Sequence, residues 1–100
     1  MALKIQRQPE FWTDVTFLAP GGEPAGTARM KWRATTRTEY YELLKLPADE
    51  IIIKVLLGWD GIEDEFSPIN VARLIDELPS SARDMLDSFT RGLFAAERKN

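Results

Sequence analysis

The chain has no cysteine and no histidine among its 100 residues. The first absence excludes disulfides and thiolate nucleophiles, and the two together remove the usual zinc and copper ligands. Without histidine, no side chain has an unperturbed pKa near neutral pH. Acid–base catalysis would then fall to carboxylates, lysine or tyrosine. No apolar run approaches the ~20 residues of a membrane span. The opening MALKIQRQPEFW lacks the apolar stretch of a signal peptide, so a cytosolic site of action is the expectation. Positive charge is not in excess either. The net charge is −3, and no overall field attracts nucleic acid or an anionic membrane surface.

What is present has the balance of a folded domain, with 44% hydrophobic and 29% charged residues. A chain of this length reads as a single domain, residues 1–100, burying about two thirds of its unfolded surface. Residues 1–10 read as a loose arm ending at Pro9. FWTDVTFLAP and TARMKWRATT alternate on either side of GGEPAG, whose glycines and proline are turn chemistry. Residues 11–35 are therefore expected to form a β-hairpin. A register in which paired residue numbers sum to 45 sets Val15 against Met30, Phe17 against Ala28 and Thr13 against Trp32, giving one apolar face. Asp14–Lys31, Thr16–Arg29 and Trp12–Arg33 then share the other face. Sums of 43 or 47 keep the same faces, because only an odd slip exchanges them.

The remainder, 36–100, reads as helical. Thr36 and Glu39 have capping-box spacing, and Tyr40, Leu43 and Leu44 form a stripe that Pro47 ends. PADEIIIKVLLGW carries both signals. Its β-branched run favours a strand, whereas Pro47, Asp49, Glu50 and Gly58 suit a helix start and stop. A helix over 48–57, apolar nearly all round and mostly buried, is the expectation. Ser67 with Pro68 begins another helix, with Val71, Leu74, Ile75 and Leu78 on its apolar side. Ser81 and Asp84 open the last one, whose stripe runs Ala82, Met85, Leu86, Phe89, Leu93 and Ala96, with Arg98 and Lys99 at its basic end. The fold class is accordingly α+β: an N-terminal β-hairpin packed on a bundle of about four short helices.

Candidate chemistry is sparse. Asp60, Asp64 and Glu65 miss the alternating ligand spacing of a calcium loop. Adjacent carboxylates at 64 and 65 point apart in an extended segment, which does not suit a catalytic pair. No metal and no cofactor is expected. Arg29, Lys31 and Arg33 share a strand face with Trp12, the pattern of a small nucleic-acid surface, with Arg37 just beyond. The plainer reading is a solvated hairpin face neutralised in part by Glu10 and Asp14. Trp59 and Phe66 flank the acidic turn and read as staples of a helix–loop–helix corner, or as a partner anchor.

The order of these pieces resembles phage tail assembly chaperones of long-tailed phages and prophages. An apolar segment runs into GWDGIEDEFS, then NVARLIDELP, then an amphipathic helix closing in RKN. The residues carrying the likeness are Gly58, Trp59, Gly61, Asp64, Phe66, Ser67, Asn70, Leu74, Pro79, Phe89, Leu93, Lys99 and Asn100, with APGGEPAG similar to the hairpin turn of such proteins. The resemblance implies a non-enzymatic protein of the bacterial host cytoplasm, absent from the mature virion. It implies as partners the helical tape-measure protein and the tail tube protein, with neither nucleic acid nor membrane. In many relatives, ribosomal frameshifting adds a C-terminal extension.

A protein of this kind must cover apolar helical faces, and a groove between helices does so. The candidate partner-binding residues are Met85, Leu86, Phe89 and Leu93, with Leu74, Leu78, Trp59 and Phe66. Several copies along a long partner imply a homo-oligomer. Two other classes remain: a small nucleic-acid-binding regulator using the basic hairpin face, and a small carboxylate-dependent hydrolase.

Overall fold

The structure, a computed structural model, describes residues 2–95. Ala96, Arg98, Lys99 and Asn100, the end of the terminal stripe and its basic cap, lie outside the described residues. Residues 2–8 carry no regular element. Strand β1 (Glu10–Leu18) and strand β2 (Pro24–Arg33) then form an antiparallel pair. A single 3₁₀ turn, Pro20–Gly22, joins them. It is closed by Ala19 N–H donating to the Glu23 carbonyl at 2.7 Å. Gly21 and Gly22 sit at φ +88° and +86°, which explains the glycine pair.

The two faces of the hairpin are as the alternation predicts, but the register is not. Paired numbers sum to 43: Thr13 faces Met30, Val15 faces Ala28 and Asp14 faces Arg29. A shift between Phe17 and Leu18 then sets Leu18 against Pro24. Both registers bury Val15, Phe17, Ala28, Met30 and Trp32, so the hydrophobic pattern could not choose between them. The turn chose, by closing over Ala19–Glu23.

Thr36 caps helix α1 (Arg37–Leu43), accepting from Glu39 N at 3.1 Å. Helix α2 (Ala48–Val55) comes next, with Asp49 and Glu50 in its first turn. It stops earlier than expected. Leu56 is both its C-cap and the first residue of strand β3 (Leu56–Asp60), with φ −79° and ψ 125°. This strand corrects the helix expected over 48–57. β3 pairs antiparallel with β2, completing a sheet of order β1-β2-β3. Gly58 lies within the strand opposite Lys31, beside a register shift, rather than ending a helix. Nor is α2 mostly buried: Ile51, Ile52 and Val55 are inside, while Ile53 is 63% exposed.

Ser67 caps helix α3 (Pro68–Glu77), accepting from Asn70 N at 3.1 Å. Helix α4 (Ser81–Leu93) has Ser80 as its N-cap, one residue before the cap read from sequence. Ser81 is instead fully buried, and its hydroxyl donates to the Leu74 carbonyl at 3.1 Å, tying α4 to α3.

Helix α4 runs antiparallel along β1, and small residues set how closely it lies. Ser80 Oγ donates to the Leu18 carbonyl at 3.3 Å, and Ser88 Oγ donates to the Asp14 carbonyl at 3.2 Å. One turn further on, Gly92 meets the inner face. A Cβ there would stand 2.6 Å from Thr13 Cγ2 and 2.8 Å from Phe11 Cε2. Large residues on the same helix fill the core. Phe89 is fully buried, its ring 5.7 Å from Phe11, 5.1 Å from Trp32 and 6.4 Å from Tyr40. The buried Trp32 N–H is satisfied by Thr13 Oγ1 at 2.8 Å, which accounts for a threonine on the apolar face.

Glycine inside a helix costs about 1 kcal/mol relative to alanine, so Gly→Ala there normally stabilises. Gly92→Ala is expected to do the reverse and lose about 1–3 kcal/mol by overpacking. Thr13 is held by Trp32 and Phe11 by Phe89, so neither yields cheaply. Urea unfolding followed by circular dichroism measures the sign, and an unchanged or raised midpoint means the helix stands off the strand.

A candidate partner-binding cleft

The stretch from β3 to α3 is not a helix–loop–helix corner but a strand, a tight loop and a capped helix. Trp59 stands on the inner face of β3, opposite Met30. Its ring meets Phe66 edge-on, with centroids 5.2 Å apart and planes at 87°. Its N–H donates to the Asp64 carbonyl at 2.9 Å. From the far side of the loop, Asn70 Nδ2 donates to the Glu65 carbonyl at 2.7 Å. Arg73 hydrogen-bonds Asn70 Oδ1 at 3.1 Å and pairs with Asp64 at 3.6 Å. Gly61 turns the chain at φ +94°, and a Cβ there would press within 3.4 Å of Ala28 Cα and the Thr27 carbonyl oxygen. The residues GWDGIEDEFSPIN therefore build one rigid bracket, in which even the acidic loop is held by its backbone carbonyls.

That bracket walls a surface cleft. Two adjoining hollows of about 210 and 220 Å³ share Ile62, Leu74 and Leu78. Trp59, Asp64, Asn70, Arg73 and Glu77 line the first. Phe17, Ala28 and the hairpin end from Ala25 to Thr27 line the second. The floor is thus apolar and the rim charged, the make-up of a protein contact.

The other predicted contact residues separate. Met85 and Phe89 are fully buried and present no surface in the folded chain. Leu86 and Leu93 are partly buried against the core, as is Phe66. Trp59, Leu74 and Leu78 meet at the cleft. Sequence reasoning missed Ile62 and the hairpin end as their neighbours, because both depend on β3 bringing the loop beside β2. It also missed Ser88 and Gly92, whose small size marks the face of α4 that lies closest to β1.

No group of three or more Asp or Glu side chains could hold a metal ion among the described residues. Asp64 is engaged by Arg73, while Asp60 pairs across the sheet with Arg29 in register. The basic strand is largely compensated. Asp14 pairs with Arg29 at 3.5 Å, Glu10 with Lys31 at 3.1 Å and Glu39 with Arg33 at 3.0 Å. Arg29 also lies 5.0 Å from the Trp12 ring centroid, a diagonal contact in place of the Trp12–Arg33 pair. A face whose cations already have partners gains little by neutralising phosphates.

A family model described as phage tail assembly chaperone matches residues 1–100. The chain belongs to that family. Searches of curated proteins and of solved structures found no match. The family match spans every element of the fold, hairpin and bracket included. No helix among the described residues is long and apolar enough to cross a membrane.

Trp59→Ala removes the ring that holds Phe66 and the N–H that holds the loop. A loss of about 3 kcal/mol is expected, at the low end for a large aromatic because Trp59 is only partly buried. The urea midpoint should fall by about 1–3 M for a domain of this size. A wild-type midpoint would mean that the bracket stands without Trp59.

Proposed function

We propose that this chaperone binds the phage tape-measure protein and helps recruit tail tube subunits onto it, without catalysing a reaction. Membership of the tail assembly chaperone family over residues 1–100 is the observation that carries this reading. The physical need is plain. A long helical protein has apolar faces that stay uncovered until a tube forms around it, and such faces aggregate. A small acidic domain with an apolar cleft covers part of one face and keeps the complex soluble through its charge. The protein acts in the cytoplasm of the bacterial host and leaves before the virion is complete.

The proposed contact is Leu74, Leu78, Ile62 and Trp59, which share the cleft, with Phe66 packed on Trp59. Leu86 and Leu93 are partly buried against the core and are not among the residues lining the cleft. Met85 and Phe89 contribute indirectly, by holding α3 and the sheet in place. An acidic substitution at Phe89 therefore unfolds the chain and does not report on binding. Leu78 closes α3 partly exposed at the cleft, with its other side packed against the core.

The test is co-expression with the cognate tape-measure protein, followed by co-purification through a tag on the chaperone. The wild type should recover soluble tape-measure protein. Leu78→Asp should recover at least about tenfold less, the effect of losing one apolar anchor, with circular dichroism and the urea midpoint confirming its fold. Tape-measure protein as insoluble as with empty vector overturns the chaperone reading. Equal recovery by the variant overturns the placement at the cleft.

A further inference from the structure

Two apolar features remain outside that cleft. The first is the N-terminal arm. Leu3 is 91% and Ile5 99% exposed, in a segment with no regular structure that also carries Lys4 and Arg7. Alternating residues of an extended chain share a face, so Leu3 and Ile5 project together about 7 Å apart. The second is a hollow of about 170 Å³ on the other side of α3, lined by Ile52, Ile53, Leu56, Phe66, Pro68 and Val71. Of its lining, Ile53 is 63% exposed and forms the open rim. A cavity of about 150 Å³ accepts a benzene-sized group, so this one has room for an aliphatic side chain.

Charge distinguishes the two features. The hollow is bordered by carboxylates. Asp49 and Glu50 lie one turn before Ile53 on α2, on its side of the helix. Glu63, Asp64 and Glu65 immediately precede Phe66. Asp49, Glu50, Glu63 and Glu65 form no ion pair among the described residues. The arm is basic and the hollow acidic, and both expose aliphatic groups. β3, which contributes Leu56, pairs only with β2 among the described residues, so an extended segment laid there also meets a strand edge.

We infer that the arm of one copy seats in the α2–α3 hollow of a second copy, with Leu3 and Ile5 as anchors and Lys4 reaching the carboxylates at the rim, while Arg7 keeps its pairing with Glu39 of its own chain at 4.0 Å. Donor and acceptor surfaces differ, so the contact is heterologous. It leaves a free arm at one end and a free hollow at the other, and repetition gives a ring or an open chain of copies. Two aliphatic anchors and a few exposed charges make each contact weak and salt-dependent. The inference concerns this chain alone and stands or falls separately from the tape-measure reading.

Sedimentation velocity across a range of concentrations tests it, on the full chain with any tag placed after residue 100. Wild-type mass should rise with concentration and fall with added salt. Ile5→Asp, in the arm, and Ile53→Asp, at the hollow, should each weaken association at least about tenfold. Both sites are exposed, and circular dichroism checks that both variants fold. The decisive sample is their equimolar mixture. Each variant keeps the surface the other has lost, so the mixture should form pairs and stop there. A wild type that stays monomeric, as it would with the arm folded into its own hollow, overturns the inference. So does assembly that survives both substitutions, or a mixture that fails to pair.

Discussion

Phe89 is the contact on which the rest depends. It is the point where α4, both strands of the hairpin and α1 meet, its ring stacked on Phe11, tilted against Trp32 and close to Tyr40. Burying such a side chain contributes roughly 1.5–3 kcal/mol, and well-placed aromatic pairs add about 0.5–1.5 kcal/mol each. What lets Phe89 reach so far in is the smallness of its neighbours. Ser88 and Gly92 allow the helix to lie against β1, and two serine hydroxyls take carbonyls of that edge strand. One constraint thus closes the core and covers a strand edge that would otherwise be open to pairing.

Seating α4 in this way determines what is left for other proteins. The helix with the clearest amphipathic pattern spends its largest side chains, Met85 and Phe89, inside the domain. The surface features with apolar floors lie instead on the two sides of α3. One is the cleft with Trp59, Ile62, Leu74 and Leu78; the other is the hollow with Ile53, Leu56 and Phe66. The bracket between them is fixed mainly by backbone carbonyls, with Asp64 the one loop carboxylate among the described residues held in an ion pair, to Arg73. Several of those carboxylates therefore remain available at the rim.

Much of this was legible in the sequence, and the failures have identifiable causes. The faces of the hairpin followed from alternation, and the caps at Thr36 and Ser67 from their spacing. Parity could not select between registers two residues apart, since both bury the same side chains; the turn at Ala19–Glu23 did. β3 was hidden because α2 passes into it without a loop. Leu56 serves as cap and strand residue at once, and the register shift beside Gly58 breaks the alternation that would have marked a strand. Losing β3 also hid the cleft, because only that strand carries Trp59 and Ile62 beside β2. For α4, periodicity marks the buried face of a helix but not what buries it. Ser88 and Gly92, one turn apart, were the available signal that a strand lies close.

The central claim is that α4 is committed to the core and that partners meet the surface beside α3. Hydrogen exchange of the chaperone, alone and with its proposed tape-measure partner, tests this most directly. In the protein alone, amides of α4 around Met85–Phe89 should already be among the slowest to exchange, reporting near-global opening. On complex formation, new protection should appear at residues 59–62 and 74–78, with little change in α4. Fast exchange of α4 in the protein alone, with protection gained there only in the complex, would contradict the account.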